Sequence, residues 1–386
     1  RHLDRGADKT PPGPKRVAAW CGLIAAGLLI PGGDPRRVFG EAGLARALDT
    51  ALFEDGGAVS RAPDALLDMA MLLAILRECY AARRLELPEA AEAALARMIP
   101  ALLGVCHADR GLASWQGGGP VPAERVAQIV EATGVRTRPL KQAREWGYQR
   151  LTGGNAVLIM DAAPPPVARV VDGGCASTLA FEFSDGAARL IVNCGGARGV
   201  SPRLPRELVE ALRTTAAHST LTLSDSNSTA ILADGSLGKG VAEVELSRQE
   251  SDGAGRIEAS HDGYVRRFGF VHRRQLVLTG DGRELRGEDS LLPRGRRRRP
   301  GTTPFAIRFH LGRGVEASPT ADGLAAVLRV PGGALWQFRV RGDSLAIEES
   351  LWIDGDGRPV ATQQLVVTGT AEAGGASVSW ALKRAR

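Results

Sequence analysis

The chain has 386 residues, 44% of them hydrophobic and 24% charged, so it is long enough to bury a core in each of two domains. Its five cysteines are scattered without CxxC spacing, which excludes a disulfide framework and a cysteine-type zinc knuckle. The net charge of +6 comes almost wholly from arginine, which suits carboxylate and sulfate ligands. A genome rich in G and C explains the same excess.

The first third of the chain is predicted to be helical. Apolar residues recur at helical intervals, most clearly at Leu66, Ala70, Leu73 and Leu76. Proline or aspartate precedes several of these segments, as the first positions of helices prefer. The predicted helices are residues 16–30, 35–53, 63–84, 88–103 and 123–133. Because no strand separates them, they predict a partial layer of a helical array or toroid.

The apolar run of residues 17–30 is too short to span a bilayer, so we predict a buried helix and no membrane span. No secretory signal is visible. The chain begins at Arg1 rather than Met, and the missing signal therefore says little about a precursor.

From Trp146 onward the apolar period changes to two, which predicts a large antiparallel β-sandwich. Residues 179–184 alternate large apolar with small or polar side chains, and Asp185-Gly186 supplies a turn into residues 190–192. The predicted strands are residues 157–160, 178–183, 189–192, 220–223, 241–246, 256–260, 275–278, 304–310, 325–330, 335–340, 344–351, 363–367 and 377–382.

The polar stretch before Trp146 is the predicted domain boundary, giving a helical domain of residues 1–140 and a sandwich of residues 141–386. A cluster of arginines at residues 294–300 lies between predicted strands. It has no interleaved aromatic residues and no accompanying nucleic-acid motif, so we predict a solvated loop and no nucleic-acid partner.

Several motifs resemble those of the heparinase II/III-like family. They are residues 55–61 (DGGAVSR), 147–151 (GYQRL), 179–196, 217–220 (AHST) and 260–264 (SHDGY). The resemblance covers roughly residues 45–386. It implies an α+β multidomain protein in which part of an α/α-toroid precedes an antiparallel β-sandwich. It also implies a polysaccharide lyase that performs β-elimination on an acidic, uronate-containing polymer such as heparin or heparan.

The same resemblance implies candidate catalytic residues. His107, Tyr148 and His218 are types suited to the proton transfers of β-elimination, and Arg61 is suited to holding the substrate carboxylate. For His107 the alternative is a structural hydrogen bond between the domains. For His218 it is a histidine that is hydrogen-bonded inside the edge of the sandwich.

A zinc site is the next expectation from the resemblance. Cys175 and Asn193 stand where many relatives carry histidine and aspartate, and His218 lies in the AHST motif. Thiolate and imidazole are good zinc ligands, whereas asparagine is a weak one. The alternative is that the cysteines are buried and inert.

Two departures from the family pattern favour a different function. Ala58 replaces the histidine of the DGGHxSR motif, and the one tyrosine of the helical domain, Tyr80, lies on an apolar helical face. The alternative is therefore a noncatalytic carbohydrate-binding or cell-envelope protein that retains the lyase fold. The expected partner is an acidic polysaccharide and the expected location is the periplasm or cell envelope, with the cytoplasm as the other option.

Overall fold

The computed structural model describes residues 2–166, 173–198, 203–251, 253–294, 301–342 and 344–385. A helical region is followed by two large antiparallel sheets, so the predicted fold class is confirmed. Among the described residues, no helix is both long and apolar enough to cross a membrane. Most of the predicted arginine cluster, residues 295–300, lies outside the described residues.

Six helices form the helical region. Proline occupies one of the first two positions of α2, α3 and α4, where its missing N–H costs no hydrogen bond. The helices are α1 (His2–Gly6), α2 (Pro14–Leu29), α3 (Asp34–Ala51), α4 (Pro63–Ala82), α5 (Glu89–Gly104) and α6 (Ala123–Ala132). The ends of α2 to α6 lie within two residues of the sequence prediction.

The helices α2 and α3 pack closely because glycine stands at their crossing. A Cβ on Gly43 would lie 2.4 Å from the ring of Trp20, so only glycine lets α3 approach the indole. Trp20 is fully buried there. The apolar face around it explains why the run of residues 17–30 folds as a buried helix.

The first sheet of the sandwich has eight strands. Its order is β1-β2-β3-β4-β10-β15-β14, and β5 also pairs with β10. The strands are β1 (Tyr148–Gly153), β2 (Ala156–Asp161), β3 (Phe181–Asp185), β4 (Ala188–Val192), β5 (Leu221–Leu223), β10 (Thr303–Leu311), β14 (Ser344–Ile353) and β15 (Pro359–Ala371). The predicted hairpin is present as β3 and β4.

The second sheet also has eight strands, in the order β11-β12-β13-β16-β9-β8-β7-β6. Its strands are β6 (Val244–Ser251), β7 (Ala254–His261), β8 (Phe270–Thr279), β9 (Glu284–Pro293), β11 (Glu316–Pro319), β12 (Ala325–Arg329), β13 (Leu335–Arg341) and β16 (Ala376–Arg384). Two short helices, α7 (Arg206–Ala211) and α8 (Val265–Phe268), lie in the connections.

Aromatic side chains hold the two sheets together. The rings of Phe181 on β3 and Trp380 on β16 stack with centroids 5.6 Å apart, and Phe309 meets the same indole edge-on at 4.8 Å. All three side chains are buried. Such offset and edge-to-face pairs each contribute about 1 kcal/mol beyond the apolar area they bury.

Candidate functional site

Arg61 joins the helical region to the sandwich. It follows the turn of the DGGAVSR motif, and its Nη2 donates to Oδ1 of Asp161, at the end of β2, across 2.6 Å. Its Nε donates to the carbonyl of Trp146. Burial alone would lower the pKa of Arg61, but Asp161, Tyr148 and Asp55 together outweigh it and the pKa is raised. The guanidinium is buried and bonded, so it is not directed at a substrate carboxylate.

The second oxygen of Asp161 extends this connection. Oδ2 accepts from the Ser177 hydroxyl at 2.7 Å and from Nε2 of Gln116 at 3.3 Å. Oε1 of Gln116 accepts the backbone N–H of Cys175. Gln116 belongs to the loop between α5 and α6, so it fastens that loop to the sandwich. Nothing in the sequence motifs pointed to Gln116.

Tyr148 lies at the start of β1 and is buried. Its hydroxyl donates to the carbonyl oxygen of Arg61 across 2.6 Å, and the guanidinium of Arg61 lies 5.0 Å from the centre of its ring. Burial raises the pKa of Tyr148 well above its usual value. The phenol is thus committed to a structural hydrogen bond.

His107 is bonded through both ring nitrogens. Nε2 lies 2.7 Å from Oε2 of Glu182 on β3, and Nδ1 lies 3.0 Å from the Ser184 hydroxyl. Burial lowers the pKa of His107 in spite of the neighbouring carboxylate. Asp109, two residues after His107, pairs with Arg189 at 2.8 Å. Glu182 is the partner that sequence spacing did not reveal.

Asn193 extends the same network into the sandwich, and His218 lies near it with a separate hydrogen bond. Nδ2 of Asn193 donates to Oε1 of Glu182 at 2.9 Å, and its Oδ1 accepts the Ser219 N–H at 3.0 Å. His218 is buried, and its Nδ1 donates to the carbonyl of Thr214 at 2.7 Å. Burial lowers the pKa of His218.

The donor set expected for zinc fits the metal poorly. Both ends of the Asn193 amide are already bonded, and burial raises the pKa of the Cys175 thiol to about 11, away from the thiolate that zinc requires. Across the described residues, no three His, Cys, Asp or Glu side chains form a group that could hold a metal ion. Zinc at Cys175, Asn193 and His218 stays a prediction.

A second polar network lies inside the sandwich. His261 and His272 approach to 3.3 Å, and Nε2 of His272 lies 2.8 Å from Oδ1 of Asp289. Arg274 and the indole N–H of Trp380 also donate to that carboxylate. Burial alone would raise the pKa of Asp289, but Arg274 and His272 together lower it by more, so the pKa is lowered overall. Each group has a partner within the protein, so the network is structural.

A cavity of about 620 Å³ lies between the helical region and the sandwich, and we call it the cleft. Ala58 and Ser60 of the DGGAVSR motif form part of its wall. Its ionisable lining residues are Lys15, Asp68, Arg198 and Arg213. No histidine or tyrosine appears among the described residues that line it. His107, Tyr148, His218 and Arg61 all lie outside this lining.

One buried carboxylate lies beside the cleft. Oδ1 of Asp64 is 3.5 Å from Nε of Arg198, and burial raises the pKa of Asp64 to about 6 although Arg198 opposes the rise. Burial likewise raises the pKa of Asp68. Arg198 also donates to the carbonyl of Gln116, which fixes the guanidinium against the loop between α5 and α6.

Comparison with known proteins identifies the class. Residues 135–381, well over half of the chain, match the C-terminal domain described as heparinase II/III-like. The chain therefore belongs to the heparinase II/III-like family, and the resemblance seen in its motifs is confirmed.

One relative and several solved structures match a larger part of the chain than the C-terminal domain alone. FtsZ-localized protein C of Caulobacter vibrioides is 32% identical over 362 residues, covering 88% of this chain and 60% of the relative's length. A heparan sulfate lyase structure from Pedobacter heparinus superposes with a TM-score of 0.73 at 13% identity, covering 99% of this chain and 62% of that one. A heparinase III structure gives a TM-score of 0.77 at 13% identity, covering 99% and 63%. At these identities the structures establish the shared fold alone.

Proposed function

We propose that this protein is a noncatalytic member of its family that binds an acidic polysaccharide in the cleft. The observation that carries the proposal is the set of ionisable groups in the cleft lining, which contains Lys15, Arg198, Arg213 and Asp68 but no described histidine or tyrosine. β-Elimination at a uronate needs a base for the ring proton and an acid for the leaving oxygen. Arginine and lysine remain charged at neutral pH and supply binding rather than proton transfer.

The candidate acid–base groups support the same proposal from outside the cleft. The Tyr148 hydroxyl donates to Arg61, both nitrogens of His107 are bonded, and Nδ1 of His218 donates to a backbone carbonyl. Burial shifts each pKa toward the neutral form of the group. The bonds of Tyr148 and His107 join the helical region to the sandwich, whereas the bond of His218 lies within the sandwich; catalytic use of any of the three would require breaking its bonds.

The charge of the cleft supports an anionic ligand. The lining carries three cationic side chains and one carboxylate. Arg198 pairs with Asp64 and Arg213 donates to the Gly174 carbonyl, whereas Lys15 is exposed. Guanidinium groups bind carboxylate and sulfate through paired hydrogen bonds, which are stronger than neutral ones. A uronate-containing chain offers such groups at regular intervals. The Pedobacter heparinus protein that shares the fold is a heparan sulfate lyase, which makes heparan-derived oligosaccharides the first ligands to test.

Isothermal titration calorimetry with a heparan sulfate tetrasaccharide tests this proposal. Lys15→Glu reverses a charge at the cleft without removing an internal hydrogen bond, and we expect affinity to fall about tenfold, or about 1.4 kcal/mol. Lys239→Glu makes the same change on an exposed lysine outside the lining and serves as the control. No binding, or equal loss in both variants, would contradict the proposal.

A lyase is the second candidate, and Asp68 is the observation that favours it. Burial raises the pKa of this carboxylate, and it shares the cleft with Arg198 and Arg213, which could hold a uronate carboxylate beside it. Under this candidate the Asp68 carboxylate takes the proton from C5 of the uronate, the C4–O bond breaks as the C4=C5 bond forms, and the same carboxyl returns the proton to the leaving oxygen. Asp68→Asn should then abolish the unsaturated uronate product.

A cellular setting is part of the proposal, and the Caulobacter relative supports it. The name of that protein describes it as FtsZ-localized, and 32% identity over 362 residues supports a similar association with FtsZ for this chain. Co-sedimentation of the purified protein with FtsZ polymers tests the association, with FtsZ omitted as the control. A fluorescent fusion decides between the periplasm and the cytoplasm. A protein that stays in the supernatant and away from division sites would contradict this setting.

A further inference from the structure

We propose a second contact for the same glycan, a pocket in which Trp352 and Arg313 bind one acidic sugar ring. The pocket has a volume of about 390 Å³ and is lined by Pro120, Pro122, Pro331, Arg313 and Trp352, among others. It is separate from the cleft, since the two cavities have no lining residue in common within the described part of the chain. The inference rests on the proposed function for the nature of the ligand.

Trp352 differs from the other tryptophans of the chain. It lies on β14 and is partly exposed at the pocket wall. The other five of the six have at most 3% of their surface exposed, and they are Trp20, Trp115, Trp146, Trp336 and Trp380. An indole that is kept at a concave surface, when all the others are buried in cores, offers a flat apolar face to a ligand.

The opposite walls are apolar and stiff. Pro120 and Pro122 come from the loop between α5 and α6, and Pro331 comes from the turn between β12 and β13. Proline rings fix their backbone angle, so these walls lose little freedom when a ligand binds. The C–H face of a pyranose ring is apolar and of suitable size to lie against an indole, while its substituents point outward to polar groups.

The charge of the pocket selects an anion. Asp109 and Arg189 both line it, but they pair with each other at 2.8 Å and neutralise one another. Arg313 is exposed and has no ion pair or side-chain hydrogen bond among the described residues. Its guanidinium is therefore free to bind a carboxylate or sulfate on the ring that Trp352 holds.

The pocket and the cleft are connected by one loop. Gly117 lines the cleft, and Pro120 and Pro122, a few residues later, line the pocket. The loop lies close to the sandwich at Gly119. A Cβ added there would lie 3.8 Å from the carbonyl oxygen of Gly196 and 4.0 Å from the carbonyl oxygen of Asp354. An oligosaccharide that follows this loop would place one acidic sugar unit beside the cationic residues of the cleft and a later one beside Arg313 in the pocket.

Tryptophan fluorescence reports on this pocket directly, because Trp352 is the one partly exposed tryptophan and the other five are buried. We expect a heparan sulfate tetrasaccharide to change the emission of the protein and to protect it from acrylamide quenching. Maltotetraose, which is neutral, should do neither. In Trp352→Phe the change in emission should disappear, because the indole is gone. Calorimetry should still show binding, because the phenyl ring keeps a flat face for the sugar.

Two further variants test affinity by calorimetry. We expect Trp352→Ala and Arg313→Ala each to weaken binding about tenfold. Arg341→Ala removes another exposed arginine outside the pocket lining and should bind like the parent protein. Parent-like affinity in both pocket variants, or protection of Trp352 by an acidic proline-rich peptide in place of the sugar, would overturn the inference.

The cleft variant separates this inference from the proposed function. If Lys15→Glu weakens binding and Trp352→Ala does not, the cleft binds glycan and the pocket inference fails. If Trp352→Ala weakens binding and Lys15→Glu does not, the pocket holds and the cleft assignment fails. If the tetrasaccharide binds neither the parent protein nor any variant, both fail.

Discussion

Nε2 of His107 lies 2.7 Å from Oε2 of Glu182, and this pair ties the loop after α5 to strand β3 of the sandwich. Both side chains are fully buried. Oε1 of Glu182 accepts from the backbone N–H of Ser114 and from Asn193, so the carboxylate is bonded on every side. His107, a candidate for proton transfer in the sequence, thus forms part of the interface between the helical region and the sandwich.

Replacing His107 should therefore destabilise the fold. His107→Ala leaves the carboxylate of Glu182 buried without its strongest partner, and we expect the free energy of unfolding to fall by about 3 kcal/mol. Chemical denaturation measures the change. Glu207→Ala, at an exposed residue of α7, is the control and should be neutral. A parent-like stability for His107→Ala would return His107 to the list of catalytic candidates.

Arg61 should behave in the same way. Arg61→Met removes the partner of buried Asp161 and the donors to three backbone carbonyls, so we expect a loss of about 3–5 kcal/mol in the free energy of unfolding. Arg206→Met breaks an exposed pair with Glu210 and should leave the melting temperature unchanged. Similar melting temperatures for the two variants would show that the Asp161 pair is not structural.

Gly196 should tolerate no side chain. A Cβ there would lie 2.1 Å from the backbone carbonyl carbon of Gly117, where the cleft loops of the two parts of the fold meet. Gly196→Ala should lower the free energy of unfolding by about 1–3 kcal/mol, because backbone must move to relieve the overlap. Gly374→Ala, with nothing within 4 Å, is the matched control. Equal stabilities by thermal denaturation would refute the close approach.

The buried histidines should make the protein less stable in acid. Burial lowers the pKa of His310 to about 3, whereas in the unfolded chain it titrates near 6.5. Between these pH values the unfolded chain binds one more proton at this site, so its contribution to the free energy of unfolding falls by about 1.4 kcal/mol per pH unit as the pH decreases.

The pH effect can be assigned by comparing denaturation at pH 7.5 and pH 5. His310→Gln should reduce the difference in stability between the two pH values relative to the parent protein, because its side chain takes up no proton. An unchanged difference would show that other buried histidines, such as His107 and His218, carry the dependence.

Local pattern was sufficient for the helices and for many strands, and insufficient for others. Helix α4 was predicted because apolar residues follow the helical period along it. Strand β9 was missed because two of its inward-facing positions carry no large apolar side chain: Gly287 and Asp289 stand between Leu285 and Leu291. That inward charge is compensated by Arg274 and His272 on β8, which no local pattern shows.

The candidate site illustrates the same limit. The sequence singled out His107 and Arg61, but their partners Glu182 and Asp161 lie 75 and 100 residues away along the chain. Burial decides whether such groups are free to react, and it depends on how the sandwich packs on the helices. Ala58, by contrast, departs from a motif and was visible in the sequence alone.

The most direct test of the central claim is a prolonged incubation of the protein with heparan sulfate, hyaluronan and alginate. The absorbance of unsaturated uronate is followed while calorimetry measures binding to the same polymers. We predict binding without any increase in absorbance. An increase that Asp68→Asn abolishes, with binding retained, would contradict the account and establish the protein as a lyase.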